Sequence, residues 1–367
     1  SALSGKVAGV SITSPSGNLG GSQRILIRGV NSVTGDNQPL FVIDGVPMDN
    51  SNFNTTNVQR GAGGVDWGSA INDIQENPRQ QDSRTDRFPE GNLYGSRAAN
   101  GVILVTTKKG KNKNKLGITV NTSIEFNRVS ILPDLQREYG GGSSSSFATQ
   151  VINGNTYKIV EYGTDESWGP KYDPNQLVLH WDAFDQESFP QDYLKPRPWV
   201  APANDVESFF QTGITHTNSV SIGTSGESGN YLFSFGSQNT TGILPNTSID
   251  KYNLKLSINQ NLGERVTSSS NLNYVRTQGV RPSIGYGDNS VTQKFFQWGQ
   301  RQLDFGRLRN YKNLDGTQRT WNRNAWNDAT PKFSDNPYWT TFENTPLDER
   351  DRVFGNFSIN YQVNDEI

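Results

Sequence analysis

Cysteine is absent from the 367 residues, which excludes disulfide scaffolds, thiolate zinc sites and cysteine nucleophiles. Long apolar runs are missing as well. The longest are short stretches such as Leu40–Ile43 and Val102–Val105, whereas a membrane-spanning helix needs roughly 20 apolar residues in succession. Neither sign of charge is in excess. The net charge is −2 with no basic stripe, so nucleic acid is not an expected partner. There is no charged-then-apolar leader at Ser1, as expected where an export signal has been removed or lies outside the sequence. Histidine is scarce: His180 and His216 stand far apart, and neither has a second ligand at metal-site spacing. No Walker A, GxGxxG, HExxH, GxSxG or EF-hand pattern occurs. No carboxylate pair stands in a context that makes a glycosidase convincing. The expectation is therefore a protein without catalysis, metal or cofactor.

What remains is distinctive. Aromatic residues make up 11% of the chain, too many for a disordered polymer, and glycine is abundant, with 37 residues. The first ~110 residues carry short apolar runs between glycine and asparagine turns: 9–13, 24–28, 39–44 and 101–107. These predict four short buried strands in a small mixed domain. Segments 2–8 and 95–100 predict helical turns. The polar stretch Glu76 to Glu90 predicts a loop or disorder. A basic linker, KKGKNKNK, occupies Lys108 to Lys115.

Beyond it the pattern changes to long period-2 strands. In 117–127, Ile118, Val120, Ile124 and Phe126 share one face, and Thr119, Asn121, Ser123 and Glu125 the other. The runs 218–224, 230–238, 251–260, 266–276 and 352–363 follow the same rule, giving six strands. Their connections alternate. Those at 225–229 and 261–264 are tight, whereas 130–215, 240–249 and 279–349 are longer. Outer-membrane β-barrels have this asymmetry, with short periplasmic turns and long outer loops. A soluble antiparallel sheet with one solvated face also alternates. Two details favour the membrane: a polar face of Asn, Ser, Thr and Gln, and aromatics near strand ends (Phe126, Tyr231, Tyr252, Tyr274, Tyr361). GGGSSSS at 140–146 predicts a flexible loop tip.

Particular strings then carry a family resemblance. GKVAGVSI near the start, RILIRGVNS at Arg24 to Ser32, PLFVIDGVPMD at Pro39 to Asp49 and LYGSRAANGVILVTTKKG at Leu93 to Gly110 together resemble the plug of SusC/RagA-type TonB-dependent outer-membrane transporters. LPDLQREYG at 132–140 and ESWGPKYD at 166–173 resemble that family's first outer loop. The sequence departs from the family between Gln75 and Gly91, where an apolar strand is usual.

The resemblance implies an all-β membrane barrel, 22-stranded in the family and about six strands here, around an N-terminal α+β plug. It divides the chain into a plug at 1–110, a linker at 111–116 and the first part of the barrel at 117–367. It implies TonB-dependent import of an oligosaccharide, glycan or peptide across the outer membrane. The implied partners are a SusD-like surface lipoprotein lid, TonB acting through a segment absent from this sequence, outer-membrane lipid, and in some assemblies further outer-membrane subunits. A non-transporting subunit of a larger outer-membrane assembly is the alternative. Signature residues of the plug are Arg28, Gly29, Asp44, Gly45, Tyr94, Arg97, Asn100 and Gly101, with Arg97 a candidate partner for a barrel carboxylate. Loop aromatics that could meet a ligand or partner are Trp168, Tyr172, Trp181, Trp321, Trp326 and Trp339; packing into the loops' own cores is the competing use.

Overall fold

The computed structural model describes residues 9–13, 18–32, 37–48, 54, 58, 63–69, 81–86, 94–107, 115–284 and 290–364, with backbone alone for 81–86 and 283–284. The predicted turn at 2–8 lies outside them.

Strands β1 (Val10–Thr13) and β2 (Arg24–Ile27) form an antiparallel pair. A second, four-stranded sheet contains β3 (Leu40–Ile43), β4 (Val46–Met48), β6 (Gln81–Asp86) and β7 (Val102–Thr107) in the order β4-β3-β7-β6. The parallel β3–β7 pair is buried on both faces, which is why both strands read as unbroken Val, Ile, Leu and Phe runs. Asp44 and Gly45 both take positive φ, 48° and 85°, to turn β3 into β4; asparagine, aspartate and glycine tolerate that region best. A 3-10 turn at Gly95–Ala98 precedes β7. The expectation of a loop across 76–90 is corrected at its centre. Backbone pairing along β7 makes residues 81–86 a strand despite their polar identities, because the exposed edge of β7 supplies the ladder partners that backbone groups require.

The second architecture is a six-stranded antiparallel sheet. Its strands are β8 (Gly117–Asn127), β13 (Gly213–Gly226), β14 (Gly229–Thr241), β15 (Ser248–Asn261), β16 (Val266–Val280) and β20 (Leu347–Tyr361), in the order β20-β16-β15-β14-β13-β8. All six were predicted, several of them too short. Backbone pairing continues into flanking polar residues such as Thr277 and Asp348, where hydrophobic alternation has already faded.

The first long connection, 128–212, holds the hairpin of β9 (Ala148–Ile152) and β10 (Asn155–Ile159) and the pair β11 (Asp173–Val178) and β12 (Arg197–Trp199). The last, 281–346, holds β17 (Ser283–Ile284), short helices at Val291–Phe296, Phe305–Leu308 and Pro337–Phe342, and the pair β18 (Arg323–Ala325) and β19 (Asp328–Pro331). These two connections share one aromatic core, with Trp181, Phe209, Phe295, Phe305, Trp321 and Tyr338 at its centre.

Gly140–Gly142 are buried, so only Ser143–Ser146 of this stretch stand exposed. A Cβ at Gly140 would lie 2.1 Å from the Trp199 ring, and one at Gly169 would lie 2.3 Å from the Gly141 carbonyl oxygen. Two loop segments cross here at backbone contact. Gly169→Ala is therefore expected to cost the loops about 1–3 kcal/mol by overpacking, read as faster amide exchange in 138–142; unchanged exchange would contradict this crossing.

Candidate functional site

The two faces of the six-stranded sheet differ chemically. One register row runs Thr122, Asn218, Ser237, Tyr252, Arg276, Asp351, and another runs Thr224, Tyr231, Ile258, Ser270, Phe357. Along each strand the side chains in phase with these rows are the apolar ones: Val120, Phe233, Phe235, Leu256, Leu272, Val353, Phe357 and Ile359 all stand exposed.

The register shows what such a face fits. On β8 the exposed apolar side chains Ile118 to Phe126 centre on Thr122; on β20, Val353 to Tyr361 centre on Phe357. The Thr122 row reaches β20 at Asp351, six residues before Phe357. The apolar band therefore climbs about 20 Å across a sheet about 24 Å wide, at ~3.4 Å per residue and ~4.8 Å per strand. The implied tilt of about 40° matches the ~35–45° of outer-membrane barrel strands. In hydrocarbon, closure of the sheet into a barrel is what pairs every backbone group.

The opposite face is polar and hydrogen-bonded across strands. Ser257 Oγ donates to Asn271 Oδ1 at 2.7 Å, Asn271 to Asn356 at 3.0 Å, and Asn259 to Asn230 at 2.9 Å. The N-terminal module lies against it. Phe354 packs on the module's core of Ile25, Ile27, Phe41, Ile43, Met48, Ile103 and Val105. Asn356 donates to the Asp44 carbonyl at 3.0 Å. Lys255, 8% exposed, forms an ion pair with Asp44 at 3.6 Å and a hydrogen bond to Thr107 Oγ1. Thr107 in turn donates its N–H and hydroxyl to the Asp44 carboxylate at 2.8 and 2.5 Å. A buried ammonium needs such partners, since its desolvation is otherwise costly.

Only Asp44 of the eight signature residues joins this ionic contact. Gly45 follows it in the turn, and Gly101 is buried with room for no Cβ beside Ile27. Asn100 accepts a bond from Asn31 at 3.4 Å. Arg28, with φ 56°, precedes Gly29 at 97°. Tyr94 precedes the 3-10 turn and makes no side-chain bond to it. Arg97 is exposed, and among the described residues it pairs with no barrel carboxylate. Sequence reasoning missed Lys255. Its sequence signal is weak, since it shares its strand face with Lys251 as well as Asn253, Ser257 and Asn259.

Above the sheet, the loops form a canopy closed by buried charge. Asp182, fully buried, accepts from both Arg197 and Arg307, and Arg307 also bonds Asp192 at 2.6 Å. Asp185 bonds Arg319 at 2.8 Å and Arg323 at 2.6 Å. The Arg319 guanidinium is held against the Phe189 and Trp181 rings. Burial alone would raise the Asp182 carboxyl, but Arg197 and Arg307 outweigh it and hold the group below the usual carboxylate value.

His180, beside it, is pushed down to about 4 by burial and by Arg197, against the opposing pull of Asp182. Unfolded loops would bind that proton near the ordinary histidine value of about 6.5. Canopy stability is thus complete above that pH and declines as pH falls towards 4. His180→Gln is expected to flatten the decline, read as amide exchange in 178–199 between pH 7 and 4.5. A parent profile already flat over that range would contradict the assignment.

The predicted loop aromatics separate by burial. Trp181 and Trp321 are core. Tyr172 packs on Trp199, its hydroxyl unpartnered among the described residues and its pKa raised by burial. Trp326 packs beside Ile152 and Phe184. Trp168 is 67% exposed next to Tyr139, whose ring lies under Lys171. Trp339 meets Tyr311, which stacks on the exposed Phe342. No group of three His, Asp or Glu is placed to hold a metal among the described residues.

An outwardly apolar, tilted sheet with a small β-module on its polar face defines the class: an outer-membrane β-barrel protein carrying a plug. Known proteins agree. A family model, the TonB-dependent receptor plug domain, matches residues 1–72. TonB-dependent receptor P26 of Formosa agariphila is 27% identical over 79% of this chain and 24% of its own length. TonB-dependent receptor SusC of Bacteroides thetaiotaomicron is 28% identical over 70% of this chain and 20% of its own. Among solved structures, the RagAB peptide importer in its closed-closed state superposes over 99% of this chain and 37% of that one, with TM-score 0.66 and 18% identity. The chain is thus similar to TonB-dependent receptors of the SusC/RagA type, and it spans a fifth to a quarter of the length of the curated relatives it matches.

Proposed function

We propose that this chain serves TonB-dependent import of a large nutrient, an oligosaccharide, glycan or peptide, across the outer membrane. Residues 1–110 act as the plug, 111–116 as a linker and 117–367 as wall and outer loops. The observation that carries the reading is the contact between plug and wall. On the inner face it includes the Lys255–Asp44 ion pair and the bond from Asn356 to the Asp44 carbonyl, beside the apolar contact of Phe354. Water can replace such bonds at modest net cost, because a typical hydrogen bond contributes only about 1 kcal/mol net. A plug held this way stays seated at rest and can still be pulled aside. A continuous apolar core would resist that motion. TonB supplies the pull through a segment outside this sequence, and a SusD-like surface lipoprotein covers the canopy. Trp168, which is exposed, and Trp339, half-buried beside the Lys312 ammonium, are the residues proposed to meet ligand or lid; aromatic side chains are enriched in such contacts.

The test is uptake by cells producing the full-length protein and its surface lipoprotein, with and without TonB. Uptake of labelled oligosaccharide or peptide that disappears without TonB supports import. A purified assembly of several unrelated subunits with no uptake sinks it. Separately, Lys255→Gln is expected to weaken plug seating by about 1.5–3 kcal/mol, the range for a charge-assisted bond. It should lower the urea concentration at which the reconstituted barrel conducts. An unshifted conductance threshold would remove Lys255 from the tether.

A further inference from the structure

A second buried cation makes a different kind of contact. Arg281 is the first residue after β16, at the root of the last long loop, and its side chain is fully buried. Its N–H donates to the Pro346 carbonyl at 3.1 Å, closing the loop's neck. Its Nε and Nη2 grip the Asp348 carboxylate at 2.7 and 3.2 Å. Its remaining nitrogen, Nη1, reaches the plug, donating to the Gly20 carbonyl at 2.8 Å, with the Leu19 and Asp66 carbonyls at 3.4 and 3.5 Å.

The surrounding contacts repeat the link. Asn18 Nδ2 donates to the Pro282 carbonyl at 3.0 Å. β17 pairs antiparallel with β5 (Gly64–Val65), so a plug segment and the loop root share one backbone ladder. Asp66 ties the plug side together by accepting from Ser22 N–H and hydroxyl, Asn54 and the Gly68 N–H. Gly20 has φ 62°, and a Cβ there would sit 2.3 Å from Ile249 Cδ1 and 3.4 Å from Arg281 Nη1.

We propose that Arg281 is a positioning residue that couples the plug to the outer loop at 281–346, so that displacing the plug loosens the neck of that loop and occupancy of the loop steadies the plug. The inference rests on the import reading for its use, but the coupling itself is a mechanical property of the fold. A planar guanidinium suits the role, since it can hold a carboxylate with two nitrogens while a third serves another partner. A lysine ammonium offers three donors but no fixed fork, so it keeps the charge and loses part of the geometry.

Hydrogen exchange on the full-length protein in detergent or lipid tests this without reference to transport. Arg281→Gln is expected to speed exchange roughly tenfold or more, the equivalent of one charge-assisted bond, both in plug segments 18–22 and 63–69 and in loop-neck segments 281–284 and 343–348. Arg281→Lys should return part of the protection. The discriminating variant is Ser22→Ala, whose lost hydroxyl bonds only the plug residues Asp66 and Asn54 among the described residues. Coupling predicts faster exchange at the loop neck as well, and less than additive effects when it is combined with Arg281→Gln. If Arg281→Gln fails to assemble, Asp348→Asn combined with Ser22→Ala serves the same comparison. An effect of Ser22→Ala confined to the plug, or of the Arg281 or Asp348 variants confined to one side, overturns the proposal. Coupled exchange in a protein that imports nothing would leave it standing and refute only the import reading.

Discussion

Replacing Asp182 by alanine is expected to destabilise the loop canopy by about 3–5 kcal/mol, the cost of leaving buried charges without their counter-ion. Two guanidinium groups, Arg197 and Arg307, would lose their shared carboxylate, with only Asp192 left beside Arg307. The disturbance should spread, because the Asp182 backbone carbonyl also accepts from Arg319, which holds Asp185 and packs on Trp181. The readout is proteolysis of the loops in the assembled barrel: 130–212 and 281–346 should become cleavable while the strands stay resistant. Converting Asp182, Arg197 and Arg307 together to leucine or methionine should restore much of the resistance, since apolar replacement of a whole buried charge cluster is often neutral. Full protease resistance in the alanine variant would mean the cluster is a bystander.

The second large effect belongs to the outer face. Phe235 lies on β14, mid-sheet, on the side that carries the tilted apolar band. Phe235→Arg should cost about 2–4 kcal/mol, the range for a cation near the bilayer midplane on a barrel's lipid face. Asn239→Arg, four residues towards the loops, should cost about 0–1 kcal/mol, because the penalty fades towards the interface. Folding titrations in lipid vesicles measure both. Equal costs at the two positions would dissociate the apolar band from the membrane.

Much of the fold was legible because it is written locally. Alternation in 117–127 and 251–260 gives the strand and its two faces from neighbouring residues alone. Asp44-Gly45 marks a turn because few other residue types tolerate positive φ. The 81–86 strand was not legible, since its polar composition says loop and only the free edge of β7 makes it a strand. The Gly140–Gly142 tip misled for a related reason. Glycines that look like a flexible run are there because Trp199, Gln300 and Gly169 leave no room for anything larger.

The candidate site was less legible. The sequence offers six candidate loop aromatics without ranking them; burial separates Trp181 and Trp321 from Trp168. It names Asp44 but not Lys255, and gives no sign that Arg281 stands between loop and plug. Sequence alone determined the period-2 strands, the alternation of short and long connections and the plug strings, because each depends on residues close together in the chain. Tertiary structure alone decided the tilt of the apolar band and the identity of the ion pairs. Arg281–Asp348, Arg307–Asp182 and Arg323–Asp185 lie 67, 125 and 138 positions apart, and whether such a pair forms depends on which surroundings exclude water, which no local pattern encodes.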